Sequence, residues 1–153
     1  MSEQTMFKRI VSVYAAGFAL LAGSVAAEAQ SLEPNAIVTG GAQVLKLIDE
    51  GKAGEVWDGA SPVAQRAIAK EQFVAAVLKA RQARGAVVGR DWLSVTRLQA
   101  TAGKDLPAGN YVTLLYSTRF AGGLTLKEQL SFRYDEPAWR VVGYVLDDSA
   151  SAK

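Results

Sequence analysis

From Trp92 to the end of the chain, apolar side chains recur at every second position, in four runs set close together. The runs are Trp92 to Ala100, Tyr111 to Ala121, Leu124 to Tyr134 and Trp139 to Leu146, and they read as strands. Between them stand 101-TAGKDLPAGN-110, Gly122-Gly123 and 135-DEPA-138, all rich in turn formers. Connections this short leave no room for a crossover helix, so neighbouring strands must pair antiparallel. Upstream of Trp92 the apolar period is helical. Ile37, Val44, Leu47 and Ile48 mark one face of a helix over Ala36 to Glu50, which Gly51 stops. Gly40 and Gly41 inside it each cost about 1 kcal/mol against alanine, which predicts close approach by another element. Gly51 to Gly59 reads as a bend carrying Val56 and Trp57. Ser61-Pro62 is an N-cap with proline in the first turn, opening a second helix to about Ala69. A third spans Glu71 to Arg84, with Phe73, Val74, Val77 and Leu78 as its buried face and Gly85 as its cap. Helices first and a meander second predict an α+β domain, its helices packed on one face of a four-stranded antiparallel sheet.

The residue inventory narrows the chemistry. The chain has 153 residues, half of them apolar, enough for one sizeable core. It contains no cysteine and no histidine, which removes disulfides, thiolate nucleophiles, imidazole bases and the usual zinc ligands. A net charge of +2 gives no reason to expect nucleic acid as a partner. Asp147-Asp148 lacks further ligands, so neither a metal site nor a cofactor is expected.

Lys8 and Arg9 precede an uncharged run from Ile10 to Ala27, and Ala27-Glu28-Ala29 forms a small-x-small site. This pattern predicts a secretory signal over residues 1–29, cleaved before Gln30, a single domain over 30–146 and a polar tail over 147–153. The expected location is periplasmic or secreted, with no stable membrane insertion after cleavage. The competing reading is an inner-membrane anchor, because 18 uncharged residues approach the ~20 that span a bilayer.

One residue breaks the strand pattern. In 124-LTLKEQLSFRY-134, Glu128 shares a row with Leu124, Leu126, Leu130, Phe132 and Tyr134. A loop of Ala121-Gly122-Gly123 sets Phe120 against Leu124, Leu114 against Leu130 and Val112 against Phe132, whereas a two-residue turn would throw the apolar rows onto opposite faces. The longer loop puts Tyr116 opposite Glu128. A buried carboxylate must be hydrogen-bonded, paired or protonated. Tyr116 is the expected hydroxyl donor and Arg97, in phase with Leu93 and Val95, the expected cation. Three roles are open: a structural polar network, a ligand pocket lined by Glu128, Tyr116, Arg97 and Trp139, or a catalytic carboxylate working with Tyr116. No second carboxylate or histidine lies in an apolar row to complete an acid–base pair, so no catalytic residue is assigned. Lys70, Lys79, Arg81, Arg84 and Arg90 read as a solvated basic side of the third helix and its exit. Trp57 and Trp139 read as anchors between helix and sheet.

The order L-x-L-I-D-x-G-x-x-x-x-V-W-D-x-A-S-P (Leu45 to Pro62), A-R-x-x-x-G (Ala80 to Gly85), P-A-G-N-Y-V (Pro107 to Val112), T-R-F (Thr118 to Phe120), Glu128 and W-R-V-V-G-Y (Trp139 to Tyr144) resembles a family of small exported bacterial proteins, domain-of-unknown-function family 4019. The resemblance implies a compact exported helix-and-sheet domain and no activity. The layout is also similar to the cone-shaped cystatin and nuclear-transport-factor-2 folds, in which a curved sheet wraps a helix. The expectation is therefore a non-catalytic domain that binds an envelope protein or a small ligand, the alternative being a small isomerase-like or dehydratase-like enzyme using Glu128 and Tyr116. Tyr111, Leu115, Val142, Tyr144 and Leu146 on the other sheet face offer a possible homodimer contact.

Overall fold

A computed structural model describes residues 34–82, 84–103 and 106–147. The expected signal segment, and the tail beyond Asp147, lie outside the described residues. Four helices precede four strands: α1 Pro34–Asp49, α2 Ala53–Asp58, α3 Pro62–Ala67, α4 Lys70–Arg81, β1 Val87–Ala100, β2 Gly109–Phe120, β3 Thr125–Asp135 and β4 Ala138–Asp147. The strands form one antiparallel sheet in the order β1-β2-β3-β4. The architecture is the expected α+β. Among the described residues, no helix is long and apolar enough to cross a membrane.

Burial decides where α1 sits. Ile37, Leu45 and Ile48 join Val56, Phe73 and Val77 of the other helices against Val112, Leu114, Leu130, Phe132, Val141 and Tyr144 of the sheet. Gly41 marks the contact point. A Cβ there would lie 2.4 Å from Leu114 Cδ1 and 3.2 Å from the Tyr116 hydroxyl, so only glycine lets the helix backbone come this near the sheet. Gly40 has open space around it, so the expected close approach holds at one glycine of the pair. Ser61 caps α3 by accepting from the Val63 N–H at 3.2 Å, with Pro62 in the first turn. The segment read as a bend between Gly51 and Gly59 contains α2, a short helix held by burial of Ala53 and Val56 rather than by its own propensity.

The β2–β3 register is the one the apolar rows demand. Leu114 pairs with Leu130, Val112 with Phe132 and Tyr116 with Glu128. Phe120 N–H donates to Leu124 O at 2.9 Å across the three-residue loop, and Gly123 takes the positive φ of 85° that such a loop needs.

Two other ladders carry bulges that the alternating pattern did not anticipate. In β4, Val141 pairs with Phe132 and Gly143 with Ser131, so Val142 is an extra residue. The extra residue inverts the side-chain phase, turning Tyr144 onto the core face beside Leu130. Tyr144 and Leu146 therefore pack with the core and are not part of an outer dimer surface. In β1, Trp92 pairs with Tyr116 and Ser94 with Leu115, so Leu93 is the extra residue. Arg90 and Trp92 consequently share the core side with Val95 and Arg97. β1 also begins at Val87, five positions before the expected Trp92, which brings Arg90 into the strand.

Candidate functional site

Glu128 is fully buried, at 0% exposure, and five donors converge on its two oxygens. Arg81 Nη2 (2.9 Å), Arg90 Nη2 (3.2 Å) and the Tyr144 hydroxyl (2.7 Å) donate to Oε1. Arg90 Nε (2.5 Å) and the Thr118 hydroxyl (2.7 Å) donate to Oε2. Each donor reaches the carboxylate for a local reason. Thr118 and Tyr144 stand on the strands flanking β3, on the core face, Tyr144 because of the β4 bulge. Arg90 pairs with Thr118 on β1, and Arg81 is the last residue of α4. Arg81 also lies over the Phe120 and Tyr144 rings, 5.5 and 5.9 Å from their centroids, and its Nε donates to the Tyr144 hydroxyl at 2.9 Å.

A second carboxylate closes the cluster. Asp49 Oδ1 accepts from Arg81 Nη2 and Arg90 Nη2, both at 2.7 Å, and Oδ2 accepts from Arg90 Nη1 at 2.6 Å. Asp49 ends α1, where the helix dipole disfavours an anion; the two guanidinium groups offset that. The arginine side chains are 15% and 17% exposed and Asp49 29%, so Asp49 forms the solvent rim and Glu128 the floor. Two cations face two anions, and α1, α4 and all four strands contribute a side chain.

The electrostatics follow from this geometry. Burial alone would raise the Glu128 pKa, but the Arg90 hydrogen bond and charge, with Thr118 and Tyr144, hold it below the ordinary glutamate range. Asp49 is likewise pushed up by burial, yet Arg90 and Arg81 hold it below the usual aspartate range. The same pairing raises Arg90 against its own desolvation. Burial first, then the Glu128 charge, pushes the Tyr144 phenol well up, so it stays protonated. A carboxylate offers about four lone-pair positions. Five donors leave none to take a proton or grip a ligand.

The expected neighbours of Glu128 are partly replaced. Tyr116 faces it in register, buried beneath Gly41, but the hydroxyls that donate to the carboxylate are those of Thr118 and Tyr144. Arg97 is not the cation. It shares the core side of β1 but stands opposite Val112, well along the strand, and is exposed. Arg81 and Arg90 take that role, which corrects their reading as part of a solvated basic side. Trp139 pairs with Tyr134, its ring 5.3 Å from the tyrosine's, whereas Leu146 faces Glu128. Six residues of β3 between Glu128 and Tyr134, at ~3.3 Å each, set Trp139 about 20 Å from that level. It does not meet Glu128; it packs against the core, as does Trp57, whose indole N–H donates to Ile68 O at 3.2 Å. Among the described residues, no group of three or more carboxylates gathers in a way that could hold a metal ion.

No curated protein matches the chain. A family model described as a protein of unknown function (DUF4019) matches residues 40–144, a span that begins beside Gly41 and ends at Tyr144, and so contains every member of the Glu128 cluster. The chain belongs to the DUF4019 family.

Proposed function

We propose that this protein is a non-catalytic binding domain exported to the cell envelope. The observation that carries the non-catalytic part is the closed state of the Glu128 cluster. A general acid or base needs a lone pair or proton to exchange and a pKa near the working pH. Glu128 is ionised, neutralised and saturated with donors. Tyr116, the other half of the enzyme alternative, has its phenol raised by burial against the lowering charge of Arg90, with the Glu128 charge adding a smaller rise. The carboxylate opposite it, Glu128, is already engaged by five donors and has no lone pair left to take its proton. Export rests on the charged, apolar and small-x-small leader ending at Ala29. The function then lies on the surface, and the polar cluster holds the surface in shape.

Chemical crosslinking and affinity capture of the full protein from its native envelope tests this reading. The expected result is a discrete partner retained by a Tyr116→Phe variant, which keeps the fold and removes the hydroxyl an enzyme would use. Turnover of a small substrate that Tyr116→Phe abolishes while leaving the fold intact would overturn it.

A further inference from the structure

The two edges of the sheet are treated differently. The β4 edge is met by the start of α3, where Ser61 N–H donates to Val141 O at 2.8 Å. β1 is longer, at 14 residues, and among the described residues pairs only with β2. Among the described residues eight large apolar side chains are exposed, and five of them stand on β1: Val88, Trp92, Leu93, Val95 and Leu98. Long apolar edges are usually shortened, charged or covered, because their free N–H and C=O groups template another strand. Beyond the Leu93 bulge, β1 runs regularly from Ser94 to Ala100. In that stretch Arg97 is exposed between Val95 and Leu98, and among the described residues no carboxylate pairs with it.

Charge decides between occupants. A symmetric antiparallel pairing of two β1 strands over 94–100, with like faces aligned, sets Arg97 against Arg97 when centred there. Centred on Thr96, it sets Arg97 against Val95. Asp91, the one acid of β1, lies across the bulge on the other face and is already bound by Arg119. A second copy therefore leaves a cation unpaired within a desolvated ladder, which is costly. A foreign strand with a carboxylate at that position satisfies it.

We infer that the Ser94–Ala100 edge of β1 receives an extended segment of a partner protein, in which apolar residues alternate with an acidic residue placed against Arg97. Backbone hydrogen bonds supply the affinity, while Arg97, Val95 and Leu98 supply the selection. This rests on the binding-domain reading and names its partner class.

The test pans the full protein against phage-displayed random peptides. Enriched sequences, synthesised and dye-labelled, are then titrated against wild type, Arg97→Glu, Leu98→Lys and, as a surface control, Lys79→Glu. The expected peptides alternate apolar and acidic residues and bind Arg97→Glu and Leu98→Lys at least about tenfold more weakly than wild type. Lys79→Glu binds as wild type, and a peptide with lysine in place of its acid regains affinity for Arg97→Glu. Peptides that bind all four proteins equally would overturn the edge assignment while leaving a binding domain standing. Failure to enrich any peptide overturns it too, and sedimentation as a dimer broken by Leu98→Lys would then identify a second copy as the occupant.

Discussion

Replacing Glu128 by alanine should be among the most damaging single substitutions in the protein. It orphans the Thr118 hydroxyl, which is fully buried, takes the acceptor from the buried Tyr144 hydroxyl, and leaves Arg81 and Arg90 facing one carboxylate instead of two. Removing one partner of a buried ion pair costs about 3–5 kcal/mol, because the surviving charge stays desolvated. Asp49 remains to neutralise one of the two cations, which argues for the lower half of that range. Against a total stability of roughly 5–15 kcal/mol, a loss of about 3–4 kcal/mol lowers Tm by some 10–15 °C for a domain of this size. Glu128→Gln is not a benign alternative here. Its amide nitrogen would meet donors only, since Arg81, Arg90, Thr118 and Tyr144 all point inward, and about 2–3 kcal/mol should be lost. Tyr144→Phe, which removes one of the five donors, should cost about 1–2 kcal/mol. Urea unfolding followed by tryptophan fluorescence gives the order Ala, Gln, Tyr144→Phe from most to least damaging. A Glu128→Ala protein within about 1 kcal/mol of wild type would refute the reasoning, since that is the worth of one ordinary hydrogen bond.

Gly41→Ala should destabilise by about 1–3 kcal/mol, because its Cβ would press on Leu114, which is fully buried and has nowhere to retreat. Gly40→Ala, with open space at its Cβ, should stabilise by up to about 1 kcal/mol; equal effects of the two would contradict the helix placement. Acid should destabilise the fold. The folded pKa values of Glu128 and Asp49 lie below their unfolded ones, so their contribution is complete above about pH 5 and is lost as pH falls through the folded values. Urea midpoints should therefore hold level from neutrality to about pH 5 and drop below it, and less steeply in Glu128→Ala; a midpoint rising on acidification would contradict this. If the protein is exported as proposed, its intact mass in the native host should correspond to a chain beginning at Gln30, and a full-length membrane-retained product would refute export by a cleaved signal.

The helix order, the four strands and the β2–β3 register were legible in the sequence because each rests on a local rule. A helical or period-two apolar row announces its element, and Ala121-Gly122-Gly123 admits one loop length that keeps both rows on one face. The burial of Glu128 was legible for the same reason, as a polar residue in an apolar row. Its partners were not. Arg90 and Tyr144 reach it through bulges at Leu93 and Val142, and an extra residue inverts every side chain beyond it. Counting by twos from Leu93 therefore selects Arg97, whereas the bulge brings Arg90 to the core face. Arg81 was hidden differently. It terminates a helix whose charged residues look solvated in sequence, and only the packing of α4 against β4 turns it inward. The signal that pointed to it was the cluster's own requirement: one buried carboxylate needs a cation, and the last turn of a helix is where a cation is favoured.

The central claim is that Glu128 is a permanently ionised structural anion and takes no part in proton transfer. Its side-chain carboxyl carbon reports this directly, because the 13C shift of a selectively labelled glutamate moves on protonation. Followed in the folded protein from pH 8 downward, with Glu128→Gln identifying the resonance, that shift should stay constant through the neutral range. It should begin to move only below the ordinary glutamate range, close to where the fold itself gives way. Titration with a midpoint raised toward about pH 6–7 would contradict the claim, because it would show a carboxyl whose burial outweighs its arginines, as an acid–base catalyst requires.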